Sequence, residues 1–542
     1  MRRTALTLAT AATLTIALAS AAGAGQVGPG GWAHVGVGST ANTPSLNGAV
    51  YALNTSNPGV LYAGGNFTSA GGNAKAQRIA RWNGSTWSAL GNTPISNGGV
   101  FAIAYSAGKV YAGGTFQDAG GNPNADFLAV WNGTSWAPFC TSTRPGPAFT
   151  ANVNALKIVG NTLYVGGSFA DGAGITNADY LVGCDLTTGA ASATVPTADQ
   201  AFGGAVYALT ADSNGTLYAG GGFINLATIP AADHIASYSG GTWHAMGSGP
   251  GPGGAAVDSF VRSLTAAGTN VYVGTDSVNI GGITNADHVA RWDSSSWSPV
   301  GSNTAGTDGW FPASSFIYGL ATYGSLVVAA GSFQNANGNA AADQIAYFNG
   351  VSWRPVGTDG AGNGPLSGQA TALGVTGWNV YVSGSFTSAG GDSLATSVAA
   401  YGLRLPDAST GAKAAGHFAG DNVYSSTGVG EVRDARVKRG GRVTSYVKIQ
   451  NDGLVAASFD IKGTGGAHGI TARYFRGRTN ITTKVQAGTY STASLAPRAS
   501  VVLRVVVRAG TSSAAQATFL TTARSQAGTP RDAVRLVAKA SG

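Results

Sequence analysis

A pattern of roughly fifty residues recurs seven times along this chain, and no other feature narrows its fold so far. Its marker is a strand-like segment that ends in small residues and then an aromatic. It reads Tyr62-Ala-Gly-Gly-Asn-Phe67, Tyr111-Ala-Gly-Gly-Thr-Phe116, Tyr164-Val-Gly-Gly-Ser-Phe169 and Tyr218-Ala-Gly-Gly-Gly-Phe223. The fifth copy degenerates to Tyr272-Val-Gly-Thr, and the marker returns as Val328-Ala-Ala-Gly-Ser-Phe333 and Tyr381-Val-Ser-Gly-Ser-Phe386. Successive spacings are 49, 53, 54, 54, 56 and 53 residues. A second motif, aliphatic-small-x-aromatic, follows in each copy: Ile79 to Trp82, Leu128 to Trp131, Ile235 to Tyr238, Val289 to Trp292, Ile345 to Phe348 and Val398 to Tyr401. In the third copy Cys184 takes the aromatic place. Last comes Trp-x-x-apolar-Gly, at Trp87, Trp243, Trp297 and Trp353, while at Trp136 the closing Gly is replaced by Cys140.

Each copy predicts four strands, with Asn-Gly (Asn83-Gly84, Asn132-Gly133, Asn349-Gly350) as the hairpin turn between the third and fourth. Four strands per repeat and seven copies predict an all-β, seven-bladed β-propeller. The seventh copy stops after Tyr401 without a fourth strand. The missing one precedes the first copy as Trp32-Ala-His-Val-Gly36, which matches Trp297-Ser-Pro-Val-Gly301 position by position. The N-terminal strand is therefore expected to complete the last blade, giving a propeller over residues 30–403. Composition agrees with short strands and tight turns: 84 of 542 residues are Gly, and Glu431 is the only Glu among 23 acids.

These repeats resemble kelch-type propeller repeats, which combine a strand, a Gly-Gly pair, a downstream aromatic and a spaced Trp. They are similar also to the repeats of bacterial secreted propellers and of a fungal cortical polarity-marker ectodomain, over about residues 30–401. Such propellers include enzymes, adhesins and scaffolds. Within that resemblance the galactose-oxidase type implies copper with His and Tyr ligands and a Cys-linked Tyr. The propeller region holds only His34, His234, His244 and His288, and neither cysteine lies beside a ligand set, so no copper or other cofactor is expected.

Beyond residue 403 the chain changes character. The first 403 residues carry 11 Lys+Arg against 16 acids, and the rest carries 20 against 7. Arg442–Gln450, Ala456–Ile461, Ile470–Phe475 and Val501–Val507 alternate with period two, as in a β-sandwich. The segment is similar to immunoglobulin-like accessory domains of secreted bacterial proteins, although the antibody-type Cys pair and core Trp are absent. Residues 404–415, small and turn-prone, are expected to be a linker, and residues 416–542 the sandwich. At the other end, Arg2, Arg3, an Ala/Leu/Thr stretch and Ala22-Gly23-Ala24 predict a signal peptide over 1–24. No segment approaches a transmembrane span of about 20 apolar residues. A secreted protein, associated with the cell surface or free, is expected.

Several residues are candidates for chemistry. Cys140 and Cys184 both displace a repeat consensus residue in neighbouring copies, which predicts a disulfide between blades two and three. An Asp recurs just before the third strand (Asp126, Asp179, Asp233, Asp287 and Asp343), with Gln77 and Thr396 in the first and last copies. Such a set either binds Ca²⁺ or a cationic ligand, or caps its own turns. Capping is favoured, because Ca²⁺ needs converging oxygens and equivalent residues diverge. Asp233-His234 and Asp287-His288 have no converging partner for acid–base or metal work, and no nucleotide, metal or nucleophile motif occurs. Trp310 and Phe311 sit in a long loop with no repeat role, either as an exposed sugar or protein contact or tucked into their own loop. The run Arg433, Arg436, Lys438, Arg439 and Arg442 suits an anionic cell-wall polymer or is a solvated basic face; few aromatics accompany it, so nucleic acid is not expected. The function expected is that of a non-catalytic extracellular binding or scaffold protein. The alternative is a carbohydrate-active or oxidative enzyme using the propeller face, and a third reading is a spacer in a surface layer.

Overall fold

The computed structural model describes residues 31–541 apart from 41, 141–144, 177, 194–201, 225, 227–228, 378, 512–515 and 526–530. The predicted signal peptide lies outside the described residues. The fold is all-β. Residues up to 402 form seven four-stranded antiparallel sheets among the described residues, one for each copy of the repeat. Sheets one to six take their four strands consecutively, from Val50–Asn54 in sheet one to Trp353–Pro355 in sheet six. Sheet seven combines Ala370–Thr376, Asn379–Gly384 and Val398–Gly402 with Trp32–His34 from the other end of the chain. There Trp32 pairs with Tyr401 and His34 with Ala399. The His34 ring also meets the Asp392 carboxylate at 2.7 Å.

The repeat motifs explain how the sheets pack. The first strands of successive sheets lie side by side, and that of sheet seven lies against that of sheet one. Apolar clusters fill the spaces between sheets. One of them joins Tyr381 and Val398 of the last sheet, and Val35 just after its borrowed strand, to Val50, Leu61 and Trp82 of the first. In the Gly-Gly pair of sheet two, a side chain on Gly113 would collide with Val153 of the next sheet. One on Gly114 would strike the Gly99 carbonyl at the start of its own first strand. Gly113 leaves room for a valine side chain of the neighbouring sheet, and Gly114 for backbone of its own sheet.

Four of the fourth-strand tryptophans tie neighbours together, whereas the buried Trp243 Nε1 meets no acceptor among the described residues. Trp87 Nε1 donates to the Val35 carbonyl at 2.7 Å, Trp136 to Leu90 at 3.2 Å, Trp297 to Met246 at 2.6 Å and Trp353 to Val300. Trp32 donates to Val356 at 3.0 Å, so the borrowed strand makes the same bond as the others. The turn before each Trp differs from the expected Asn-Gly turn. Asn83 sits one place earlier, its side chain accepting from the Ser85 and Thr86 amides, and Gly84 is the first central residue with φ of 95°. Gly is favoured at that place in the mirror-image turns that suit a hairpin, although Ser294 holds it in sheet five with φ of 80°.

The C-terminal residues form two further sheets around one apolar cluster that includes Phe459, Tyr474, Leu503 and Phe519. One sheet is built on Pro406–Gly411, Arg442–Asn451, Ser500–Ala509 and Ile470–Arg476. The other is built on Val432–Lys438, Arg531–Ser541, Gln516–Ser525 and Phe459–Gly463, its first pair parallel. The expected linker is a correction: Pro406–Gly411 is a fully buried strand paired with Tyr446–Asn451. Its composition is turn-like, but the sheet edge and the covering residues around Tyr424 override that propensity. The two regions meet directly. Leu403, Leu405, Tyr424 and Leu454 share an apolar cluster with Trp32 and Tyr401, and Tyr401 Oη donates to the Asp452 carbonyl at 2.9 Å.

Candidate functional site

Every first strand of the seven sheets carries a one-residue register shift against its partner. The residues skipped are Tyr51, Phe101, Asn154, Tyr207, Arg262, Tyr318 and Thr371. A bulge re-aims the side chain that it skips. Six of these seven line one cavity of about 690 Å³ bounded by the starts of the first strands. The pattern brings an aromatic group, an amide and a guanidinium to one place from sheets more than fifty residues apart in sequence.

The chemistry concentrates at the degenerate fifth copy. Thr275 stands where other copies have the second Gly, and its hydroxyl donates to the Phe260 carbonyl at 2.8 Å. The next residue, Asp276, accepts both Nε and Nη2 of Arg262 at 2.6 Å. That fork-to-carboxylate bond raises the arginine's already high pKa. Phe260, Phe316 and Tyr318 surround the guanidinium with ring centroids 5.7, 5.4 and 5.4 Å from its carbon. Tyr207 meets Phe260 edge-on, and Phe316 stacks on Tyr318. Tyr207, Phe260 and Phe316 remain 38, 42 and 37 % exposed, which is unusual for rings of this size. Buried His234 adjoins Phe260, and burial holds its pKa below the ordinary histidine value.

The residues singled out in the sequence lie elsewhere. Trp310 and Phe311 are a correction to the exposed-contact reading: they are 6 and 5 % exposed and pack on Trp353 and Phe333. Their loop is anchored by the Gly309 amide, which donates to Asp287 at 3.1 Å. Asp126, Asp179 and Asp287 each accept, at 2.7 Å, the backbone amide of Asp118, Asp171 or Asn279, eight residues upstream; Asp343 accepts that of Asn335 at 2.5 Å. Each donor has a positive φ, so the carboxylate fixes a left-handed residue in its own loop. Asp233 is buried at the equivalent place. His288 is fully buried with Nδ1 at 3.2 Å from the Thr275 carbonyl, and exposed His244 touches Thr242. Among the described residues no three His, Cys, Asp or Glu side chains come together as a metal site.

Cys140 and Cys184 are joined by a disulfide with Cα atoms 5.4 Å apart. The basic run is split: Arg433 donates to Ser445 at 2.6 Å, Arg436 and Lys438 face outward on the five-stranded sheet, Arg439 turns, and Arg442 opens a strand of the other sheet. The bulge residues were not singled out from sequence, because a shift of one residue leaves no mark in an alternating strand. The signal available was the fifth copy, where Gly gives way to Thr275 and Phe to Ser277.

No family model matches the chain, and no curated protein does. Among solved structures it is similar in part to a FixG-related protein from Vibrio parahaemolyticus, with TM-score 0.14 and 10 % identity over 19 % of this chain and 82 % of that one. A family 123 glycoside hydrolase from Clostridium perfringens gives 0.19 and 6 % over 26 and 28 %. A point mutant of the SrpA adhesin of Streptococcus sanguinis gives 0.14 and 12 % over 25 and 59 %. These scores are far below those of a shared fold. No helix among the described residues is long and apolar enough to cross a membrane.

Proposed function

We propose that the chain is a secreted, non-catalytic binding protein: a seven-bladed β-propeller with a C-terminal immunoglobulin-like sandwich, which takes a glycan at the opening of its central channel. The propeller reading is supported by the seven repeat-matched sheets, whose first strands adjoin in sequence order and whose last sheet borrows the N-terminal strand. The observation that carries the binding reading is the set of bulged residues around one cavity, with the half-exposed rings of Tyr207, Phe260 and Phe316 beside Arg262. Flat aromatic faces next to a few fixed polar groups suit a sugar ring, which presents C–H groups on its faces and hydroxyls at its edge. Asn154 and the Arg262–Asp276 pair supply the polar edge. Binding fits better than hydrolysis because Asp276, the carboxylate that reaches Arg262 among the rings, is already held by it, and sugar hydrolysis uses two free carboxyl groups.

A glycan array on the chain lacking residues 1–24 tests this. Phe260→Ala and Phe316→Ala, both exposed, should keep the melting temperature and weaken any glycan hit at least about tenfold. Loss of no hit in either variant, or an array without hits, rejects the reading.

A further inference from the structure

We propose that the outer face of the larger C-terminal sheet is a binding surface for a base-free phosphodiester polymer. The inference stands apart from the channel reading, since it concerns another region of the chain. On this face the sheet register places Arg442 directly opposite Arg508, and Arg508 opposite Thr471. Two residues along, Thr444, Val506 and Arg473 form the next row, and then Tyr446, Arg504 and Phe475. Three neighbouring strands thus bring four guanidiniums to one face. Arg442, Arg473 and Arg508 are exposed, and Arg504 lies over the Phe475 ring at 4.3 Å from its centroid. None of the four makes an ion pair among the described residues, and Asp421 is taken by Lys448 at 2.6 Å.

Such a face is unfavourable for the isolated sheet. Directly opposed residues on neighbouring strands have Cβ atoms about 5 Å apart, and like charges there repel. The opposite sheet shows the contrast. Arg436 and Lys539 are also directly opposed, but Asp434 meets the Lys539 ammonium at 2.6 Å. Unrelieved guanidiniums at strand spacing suit a row of closely spaced anions. Arginine alone, without lysine in these rows, matches phosphate through paired N–H donors. The three rows follow one another along neighbouring strands, so an extended polymer can reach all four. A nucleic acid is disfavoured, because bases stack along several free aromatic faces and, of the two rings in these rows, Arg504 covers that of Phe475. The sequence run Arg433–Arg442 contributes only Arg442. The other three come from strands that the register, and not the sequence order, makes neighbours.

The test uses the chain lacking residues 1–24 and, as probe, poly(glycerol phosphate), titrated from 50 to 300 mM salt, with heparin and poly(dT) at equal anion concentration. Arg442→Gln/Arg508→Gln should weaken poly(glycerol phosphate) binding at least about tenfold and lower the salt slope by about 1.4. Arg436→Gln/Lys539→Gln should change affinity less than about twofold. The first pair should leave the melting temperature unchanged or raise it, which separates lost binding from lost folding. Equal losses in both pairs, no binding at 50 mM salt, or tighter binding of heparin or poly(dT) than of poly(glycerol phosphate) would overturn the proposal.

Discussion

Cys140 and Cys184 show how one residue pair can replace another inside a repeat. In other copies the Gly that closes a fourth strand lies against an aromatic ring of the next sheet. A side chain on Gly91 would strike Trp131, and one on Gly36 would strike Trp82. Cys140 occupies the Gly place of sheet two, with φ of 70°, and Cys184 the facing aromatic place of sheet three. The disulfide therefore stands where a glycine–aromatic contact stands elsewhere. The left-handed φ, costly for a side chain, is inherited from that glycine. Breaking the bond by Cys184→Ser should cost about 4 kcal/mol, because its loop spans 44 residues and the site keeps neither ring nor bridge. Cys140→Gly with Cys184→Trp restores both consensus residues and should recover most of that loss without any disulfide. Urea unfolding of the three proteins checks this. A double variant no more stable than Cys184→Ser would show that the bridge does more than replace the contact.

At the scale of the element, the four strands of each copy were legible because their motifs are packing rules. The Gly-Gly pair records where a neighbouring strand and a carbonyl pass, the Trp records a bond to the previous sheet, and the offset Trp32–Gly36 records closure. The bulges were hidden, since alternation of apolar and polar residues survives a shift of one. The candidate cavity was hidden with them, because its residues are those that the repeat leaves free to vary. Pro406–Gly411 was misread for another reason: its residues favour turns, and only tertiary pairing makes them a strand. The account of the bulge is testable at Gly331, where a side chain would strike the Phe316 carbonyl. Gly331→Ala should destabilise by about 2 kcal/mol. Thr275→Gly, at the equivalent place in sheet five, should cost no more than about 1 kcal/mol, since it removes only the hydroxyl bond to Phe260 and adds backbone freedom. Denaturant midpoints of the two variants decide it: a larger loss at Thr275 than at Gly331 would sink the account.

At the scale of the whole molecule, the two regions are joined by structure rather than by a tether. Asp452 gathers the junction: its carboxylate accepts Tyr424 Oη and Gln450 Nε2 at 2.7 Å and Arg498 at 3.2 Å, while its carbonyl accepts Tyr401. Behind it lie three further buried carboxyls, Asp407, Glu431 and Asp532. Asp532 accepts the Ala408 and Ser425 amides at 2.7 Å, whereas neither side-chain oxygen of Asp407 meets a hydrogen-bond donor among the described residues. Burial, reinforced by Asp452, Asp532 and Asp421 and only partly offset by Lys448, pushes Asp407 from an ordinary 3.8 up to about 9. Burial likewise raises Glu431 and Asp532. A carboxyl raised in the folded state binds its proton more tightly there than in the unfolded chain. Its contribution is therefore intact below about pH 4 and is lost as pH rises through the folded value, so stability falls between those limits. This runs against the usual acid denaturation of proteins with paired carboxylates. Asp407→Asn, which cannot ionise, should flatten the decline and be at least about 1 kcal/mol more stable than the parent at pH 9, with a smaller difference at pH 5. Urea unfolding at the two pH values, followed through the C-terminal sheets, makes the comparison, and equal slopes in parent and variant would show that Asp407 does not carry the buried proton.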